Sequence, residues 1–310
     1  MAEEAKDAFW TSRRMAGNNG LYSTLVANCF FNAFLLFTAL VLNIIKIQAL
    51  RKISSFPKPL KTLLLSLAVS DLGVGLLVHP LYIARLIINI EQSANERLHY
   101  KVYTAQRLFG YLLCVASLLG ITALTVDRFL AIHLHLRYKE FVTHKRVVTV
   151  VISVWVWSSC FSLFVLNRVL ENVLSVINAT IRAVCLTTTG LIYCKIYSIV
   201  RHHTNQIHAL QLHQVSQNQN EEMANTARQK RTELATFYVY VVFLAGFLPF
   251  LCVKTAIRMY GESVLRMHLL HYSMTLVFLN SSLNPLIYCR KMRNIRQAVK
   301  SVLRKIFQSQ

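Results

Sequence analysis

The chain has 310 residues, of which 55 % are hydrophobic, and it carries a formal net charge of +21. Apolar runs of about 20 residues, long enough to cross a bilayer about 30 Å thick, recur along it and exclude an ordinary soluble domain. Its basic residues lie beside these runs, where anionic lipid accounts for them, so we expect no nucleic-acid partner.

Seven apolar runs predict seven transmembrane helices. The runs are continuously apolar, whereas the strands of a membrane barrel alternate apolar and polar residues. Backbone groups in lipid must find partners within their own segment, which makes each run a helix. We therefore predict an all-α membrane protein with a seven-transmembrane helix bundle. The predicted spans one to seven are Leu21–Ile47, Leu60–Ile87, Val102–His133, Arg146–Leu166, Asn172–Arg201, Arg231–Arg258 and Arg266–Tyr288.

The charges between the spans predict the orientation. Most Lys and Arg residues outside the spans lie on the side of the C-terminus, which the positive-inside rule places in the cytoplasm. The predicted parts are a short extracellular N-terminus (1–20), a seven-transmembrane domain (21–289), and an amphipathic cytoplasmic helix and tail (290–310). In the third cytoplasmic loop, Thr204–Thr226 could extend the adjoining helices or stay loose, and composition does not decide between them.

The C-terminal segment has the pattern of an amphipathic helix. Its apolar residues recur at helical spacing, and basic residues take the other face, which is typical of a helix lying on a membrane surface. A disordered basic tail would explain the charges but not the periodic apolar set. The apolar residues are Ile295, Val299, Val302, Leu303, Ile306 and Phe307, and the basic residues are Arg296, Lys300, Arg304 and Lys305.

Three polar motifs stand inside otherwise apolar spans. Asp71 lies in span two, Asp127-Arg128-Phe129 ends span three, and Asn284-Pro285-Leu286-Ile287-Tyr288 lies in span seven. A charged side chain in hydrocarbon costs at least a few kcal/mol, so such residues are usually kept for function inside a bundle. An adjacent carboxylate and guanidinium can hold each other, and a proline kinks a helix so that its end can swing.

The order and chemistry of these motifs resemble the rhodopsin-like (class A) G-protein-coupled receptors. Phe243, Phe247 and Pro249 are similar to that family's Phe-x-x-x-Trp-x-Pro motif in span six, with phenylalanine in place of tryptophan. Phe129 likewise replaces the tyrosine of the family's Asp-Arg-Tyr motif. The resemblance extends from about Leu21 to Phe307.

The resemblance implies a plasma-membrane receptor that transduces an extracellular ligand signal to heterotrimeric G proteins by conformational switching. A seven-span channel or transporter is the alternative, and a transporter would show broken helices or repeat symmetry. No nucleotide-binding loop or nucleophile motif is present, so we do not predict an enzyme. The coupling and switch residues that the resemblance implies are Asp127, Arg128, Tyr193, Phe243, Phe247, Pro249, Asn284, Pro285 and Tyr288.

Departures from the family pattern indicate a subfamily. Tyr103 stands where a cysteine is usual near the top of span three, and Cys185 stands where span five usually has a proline. These features resemble the branch that holds the melanocortin receptors and several lipid receptors. Melanocortin receptors, however, place acidic residues at positions matching Leu81, Tyr103 and Arg107, where they serve calcium and a basic peptide. We therefore leave the ligand class unassigned at this point.

Single residues bear on the ligand and cofactor. Retinal needs a lysine where this chain has Phe278, and amine receptors of the family need an aspartate where it has Gly110. We therefore expect neither a retinal cofactor nor an amine ligand. His268 and His271 have a spacing that could share a metal, but no third ligand lies nearby in sequence, and we interpret them as solvated loop histidines.

The resemblance also implies a polar site in the middle of the membrane around Asp71. Hard oxygen ligands around one carboxylate suit an allosteric sodium ion. A packed polar network without an ion is the alternative. The predicted sodium site comprises Asp71, Ser117, Asn280, Ser281 and Asn284.

Basic and aromatic residues near the outer ends of the spans predict an anionic ligand, either a small molecule or a lipid. Arg107 lies about 30 Å along the helix from Arg128, at the outer mouth of the bundle. Interfacial snorkelling of basic side chains is the alternative explanation. Arg182 lies well inside span five, so we expect its side chain to face the bundle. The predicted ligand-binding residues are Arg85, Arg107, Tyr111, Phe250, Lys254, Arg258 and Phe278, with Tyr82 and Phe247 completing the aromatic floor.

Overall fold

A computed structural model describes residues 19–54, 56–91, 95–134, 137–164, 171–211 and 217–308. Within these ranges all regular secondary structure is helical. The predicted N-terminal segment and the loop between predicted spans four and five lie almost entirely outside the described residues.

Each predicted span corresponds to a helix in the structure. Spans five and six extend beyond their apolar runs, so the described part of the predicted third loop is helical and prolongs them. Span one is Asn19–Lys52, span two is Lys58–Gly73 with a π-helical turn at Val74–Val78 and a second α-helix at His79–Ile90, and span three is Glu96–His133. A short helix, Tyr138–Phe141, precedes span four at His144–Phe164; span five is Glu171–Gln211, span six is Gln217–Tyr260, span seven is Val264–Lys291, and a final helix is Arg293–Gln308.

The outer surface of the bundle is apolar, as expected of a surface that faces lipid. Phe30, Phe34 and Phe37 of span one are each at least 66 % exposed. Six helices, corresponding to spans one to six, are long and apolar enough to cross a membrane by length and composition. Span seven is less apolar because it carries polar residues such as Asn280 and Asn284, and these side chains are buried inside the bundle.

Spans six and seven approach each other closely at a glycine. A Cβ atom built on Gly246 would lie 2.8 Å from the backbone oxygen of Leu276 and 2.7 Å from Nδ2 of Asn280. Small residues allow such close contact between membrane helices. Gly246 lies between Phe243 and Phe247, so this contact sets how near these two aromatic residues come to span seven.

Irregular backbone occurs in three of the four spans that carry the polar motifs or the aromatic pair, namely spans two, six and seven. Span two contains the π-helical turn at Val74–Val78, only three residues after Asp71. Pro249 and Pro285 lie inside spans six and seven, where each removes one backbone donor. Such interruptions weaken the helix locally, which allows one end to move relative to the other.

The predicted amphipathic helix is confirmed at Arg293–Gln308. Ile295 and Val302 are buried against the bundle, whereas Arg296, Lys300 and Arg304 are exposed. The helix packs mainly against spans one and seven. The described part of its apolar face therefore follows the predicted periodicity, while the side chains of Ile306 and Phe307 lie outside the described part of the chain.

Candidate functional site

The Asp127–Arg128 ion pair is present at the end of span three. Nε of Arg128 donates to Oδ2 of Asp127 at 3.0 Å, and Nη2 of Arg128 donates to the same oxygen. Both side chains are buried. The pair therefore holds the guanidinium along its own helix, as the adjacency of the two residues predicted.

Tyr138 completes this pair, and sequence analysis did not find it. Its hydroxyl donates to Oδ1 of Asp127 at 2.7 Å, from the short helix that follows span three. Burial and the Asp127 carboxylate raise the pKa of Tyr138 above its usual range, so the phenol stays protonated and can donate. We call Asp127, Arg128 and Tyr138 the Asp127 cluster. No periodicity links Tyr138 to Asp127, because a change of chain direction separates them.

Replacing Tyr138 with phenylalanine is expected to loosen the Asp127 cluster. The change removes one charge-assisted hydrogen bond that orients the carboxylate, and its loss at a partly wet site should shift a two-state equilibrium roughly threefold to fivefold. Nucleotide exchange on a purified G protein without ligand should rise by that factor. Tyr22→Phe, at an exposed tyrosine of span one, is the matched control. Equal exchange rates in wild type and Tyr138→Phe would exclude this role.

Four of the seven remaining predicted switch residues, all of them aromatic, share one buried hydrophobic cluster. Tyr193, Phe243, Phe247 and Tyr288 all belong to it. Phe243 and Phe247 stack with their ring centroids 4.2 Å apart. Thr125 of span three donates to the hydroxyl of Tyr193 at 3.2 Å. The structure therefore brings together the aromatic residues that the sequence placed on spans five, six and seven.

The site around Asp71 is buried, with only part of the predicted set in contact. Nδ2 of Asn284 donates to Oδ2 of Asp71 at 2.9 Å, and the Ser281 side chain lies close enough to act on this carboxylate. Ser117 and Asn280 are buried too, but no contact between them and Asp71 is described. The predicted polar network thus forms between spans two and seven.

Lys46 belongs to this site, and the sequence analysis overlooked it. Its side chain is 1 % exposed, and its charge interacts with Asp71. The signal was present in the sequence, because Lys46 follows Asn43 by three residues and therefore shares its inward-facing side of span one. We call Lys46, Asp71, Ser281 and Asn284 the Asp71 site.

The side chains of the Asp71 site do not fit a sodium ion well. The ion would need lone pairs directed at it and a net negative site. Here Asn284 directs an amide donor at the carboxylate, and the Lys46 ammonium already balances its charge. The sodium ion remains an untested prediction, and Lys46 argues against it.

Near the other end of the bundle, cations from three spans surround Tyr111. The Arg182 guanidinium lies over the Tyr111 ring, 5.7 Å from its centroid. The charges of Lys254 and Arg107 also lie close enough to act on the Tyr111 hydroxyl. We call these four residues the Tyr111 pocket. They come from spans three, five and six.

The prediction for Arg182 is confirmed. Its side chain is 7 % exposed, and Nε donates to Oδ1 of Asn178 at 2.6 Å. The guanidinium lies inside the bundle and not in lipid. Arg182 therefore joins the predicted ligand-binding residues.

The other predicted cations are placed differently. Arg85 lies over the Tyr103 ring at 5.0 Å, where Arg107 also contacts it at 5.6 Å. Glu262 lies close enough to Arg85 for their charges to interact; burial raises the pKa of Glu262, and Arg85 opposes that rise. Arg258 is exposed at the end of span six. Arg85 is thus partly balanced by an acid of this chain.

The rings of the predicted aromatic floor belong to more than one hydrophobic cluster. Tyr82 and Phe278 meet edge to face at 5.2 Å and belong to a cluster between spans two and seven. Phe247 belongs to the other cluster, with Phe243. Phe250 lies beneath Lys254, whose ammonium is 5.7 Å from the ring centroid. The aromatic floor stays a prediction, with Tyr82 and Phe278 in one of these clusters and Phe247 in the other.

The interpretation of the span-seven histidines as solvated loop residues is wrong. His271 is buried, and its Nδ1 shares a 2.9 Å hydrogen bond with the hydroxyl of Tyr82. His268 lies one turn earlier, with its Nδ1 2.6 Å from Oγ1 of Thr24. Each histidine links span seven to a different neighbouring span.

The fold and these motifs define a seven-helix membrane receptor. Residues 39–288 match the model of the family described as 7 transmembrane receptor (rhodopsin family), and the chain belongs to this family. The resemblance predicted from the motifs is confirmed. The family gives no support to the alternative of a channel or transporter.

Relatives with curated descriptions agree with this membership. The chain is 33 % identical to D(2) dopamine receptor A of Xenopus laevis over 151 residues, which are 45 % of this chain but only 33 % of that receptor. It is 24 % identical to melanocortin receptor 5 of Pan troglodytes over 86 % of the chain and 80 % of the relative. It is 22 % identical to melanocortin receptor 4 of Danio rerio over 92 % and 86 % respectively. The two melanocortin receptors are matched over most of their length, which supports the predicted resemblance to the melanocortin branch.

Proposed function

We propose that the chain is a plasma-membrane receptor that passes an extracellular signal to a heterotrimeric G protein. The Asp127 cluster supports this role, because it holds one arginine in a hydrogen-bonded arrangement that a bound partner could release. The receptor acts by a shift between two packings of its bundle and not by catalysis. Family membership supports the G-protein partner.

The N-terminus is extracellular in this proposal. The basic face of the Arg293–Gln308 helix supports that orientation, since cytoplasmic leaflets carry anionic lipid. An epitope attached before Met1 should bind antibody on intact cells, and one attached after Gln310 should bind it only after permeabilisation. The reverse pattern would overturn the orientation.

The ligand carries an anionic group. The main support for an anionic ligand is that three positive charges, those of Arg107, Arg182 and Lys254, lie near one tyrosine, Tyr111. A carboxylate or phosphate placed among them would form charge-assisted hydrogen bonds, and the bond to Arg182 would be the best shielded from water because that side chain is buried. The Tyr111 and Phe250 rings supply apolar surface for the body of the ligand.

The ligand named for the dopamine receptors does not transfer to this chain. A protonated amine in the Tyr111 pocket would meet the like charges of Arg107, Arg182 and Lys254, and unfavourable contacts of this kind exclude a ligand. The neighbouring Gly110 has no side chain to offset them, and a Cβ built there would meet nothing within 4 Å. The pocket therefore favours anions over amines.

A paired ligand library tests the proposal. Purified receptor in lipid nanodiscs is mixed with G protein, and nucleotide exchange is measured with carboxylates and phosphates, each beside its neutral ester or amide and its amine analogue. We expect stimulation from anionic members only. Stimulation by amines or neutral analogues at equal concentration would contradict the assigned ligand class.

For any anion that stimulates exchange, Arg107→Ala and Lys254→Ala should each lower its potency about 10- to 100-fold, the value of one charge-assisted hydrogen bond. Lys101→Ala, an exposed lysine of the same outer region, is the matched control and should leave potency unchanged. If the pocket cations only snorkel to the interface, all three variants will behave alike. That result would overturn the Tyr111 pocket as the binding site.

A further inference from the structure

Lys46 is a cation enclosed by the bundle. Its side chain is 1 % exposed, and its ammonium makes no hydrogen bond to any described residue. The ammonium lies 4.7 Å from the ring centroid of Tyr288, in cation–π contact. A lysine of this length near a membrane interface would ordinarily extend to water, and here it does not. Other groups inside the bundle must therefore stabilise the positive charge of Lys46.

The group that stabilises it is Asp71. This carboxylate is also 1 % exposed, and its electrostatic interaction with Lys46 joins span one to span two. A lone buried charge costs several kcal/mol, while two opposite charges in a low-dielectric site offset each other's cost. The ammonium and the carboxylate lie farther apart than a salt bridge. Each also has another partner: the ammonium contacts the Tyr288 ring, and the carboxylate accepts a hydrogen bond from Asn284.

Charge balance then decides what else the site can hold. Asp71 contributes one negative charge and Lys46 one positive charge, which leaves the pair neutral. A sodium ion entering this site would add an uncompensated charge beside a fixed ammonium, which costs energy at any dielectric. Sodium would also have to compete with a cation that is covalently attached and never leaves.

We propose that the Lys46 ammonium is the resident cation of the Asp71 site, so that this chain does not bind sodium there. The lysine also contacts Tyr288 of the span-seven motif. It therefore ties the carboxylate of span two to the cytoplasmic half of span seven through side chains of the protein itself. This inference concerns the site alone and holds whether or not the chain couples to a G protein.

Thermal unfolding of the purified full-length receptor tests it. The chain has seven free cysteines, so a thiol-reactive dye reports unfolding without a ligand. Wild type is compared in about 150 mM sodium chloride and in N-methylglucamine chloride at equal ionic strength, which cancels general screening. We expect the two melting temperatures to agree within about 1 °C. A higher wild-type melting temperature in sodium would overturn the proposal.

Variants with an uncharged side chain in place of Lys46 test whether sodium binds once the ammonium is removed. Lys46→Met removes the cation and leaves a negative site, so its melting temperature should rise about 2–4 °C in sodium relative to N-methylglucamine. Lys46→Gln serves as a second neutral variant in case the first does not fold. The double variant Lys46→Met, Asp71→Asn should lose the sodium response. Neutral variants that stay insensitive to sodium would overturn the idea that the ammonium takes the place of an ion.

Discussion

Arg128→Ala is expected to remove G-protein activation while leaving the bundle folded. Arg128 is held by Asp127 of its own helix and interacts with Tyr138 of the short helix, and no hydrogen bond from it to another span is described. Its loss therefore costs little bundle packing. It does remove the guanidinium that we propose binds the G protein once the Asp127 cluster opens. We expect nucleotide exchange to fall tenfold or more, about 1.4 kcal/mol or greater.

The measurement needs a resting signal, which Asp127→Asn can provide. This variant removes the charge that holds Arg128, so ligand-free exchange should rise several-fold above wild type. Adding Arg128→Ala in that background should abolish the rise. Arg97→Ala, an exposed arginine at the opposite end of span three, is the matched control. Exchange that persists in Asp127→Asn, Arg128→Ala at equal surface expression would exclude Arg128 as the coupling residue.

The second large effect concerns stability. Asp71→Asn keeps the shape of the side chain and can still pair with Asn284, but it leaves the Lys46 ammonium buried without an opposite charge. The two charges lie farther apart than a salt bridge, but both are buried, and leaving a buried charge uncompensated costs about 3–5 kcal/mol. For a chain of this size that corresponds to a fall in melting temperature of roughly 10 °C.

A double-mutant cycle isolates the interaction. Lys46→Met alone leaves an uncompensated carboxylate, whereas Lys46→Met with Asp71→Asn leaves no charge at all. We expect the double variant to recover most of the stability lost by either single change, with a coupling energy of about 1–3 kcal/mol. Strictly additive losses would show that Lys46 and Asp71 do not stabilise each other. The cycle is measured in N-methylglucamine chloride, so its result is independent of sodium.

The same residues show how far sequence reasoning extends. Asp127 and Arg128 are adjacent, so their contact needs only one helix, and it was predicted. The contact from Tyr138 depends on how the chain turns after span three, and no helical period reports that turn. Lys46 was visible within an apolar run, but its significance depends on Asp71, which lies on another span.

The ligand region shows the same division. Arg182 was predicted to face the bundle because an arginine in lipid is costly, and this reasoning needs no neighbouring helix. That it lies over Tyr111 depends on the rotation of span five relative to span three. The predicted aromatic floor depends on packing in the same way: Tyr82 and Phe247 belong to different clusters, and no helical period reports which cluster a ring joins.

By itself the sequence determined the helices, their number and the family, because bilayer thickness sets the length of each apolar run and motif spacing is read along a single helix. It also determined the amphipathic face of the Arg293–Gln308 helix from periodicity alone. Only the tertiary structure decided which side chains interact across the bundle: Lys46 with Asp71, Arg182 and Lys254 with Tyr111, and Tyr138 with Asp127. The physical reason is that charges interact according to their separation in space and the dielectric between them, and both depend on how the spans pack.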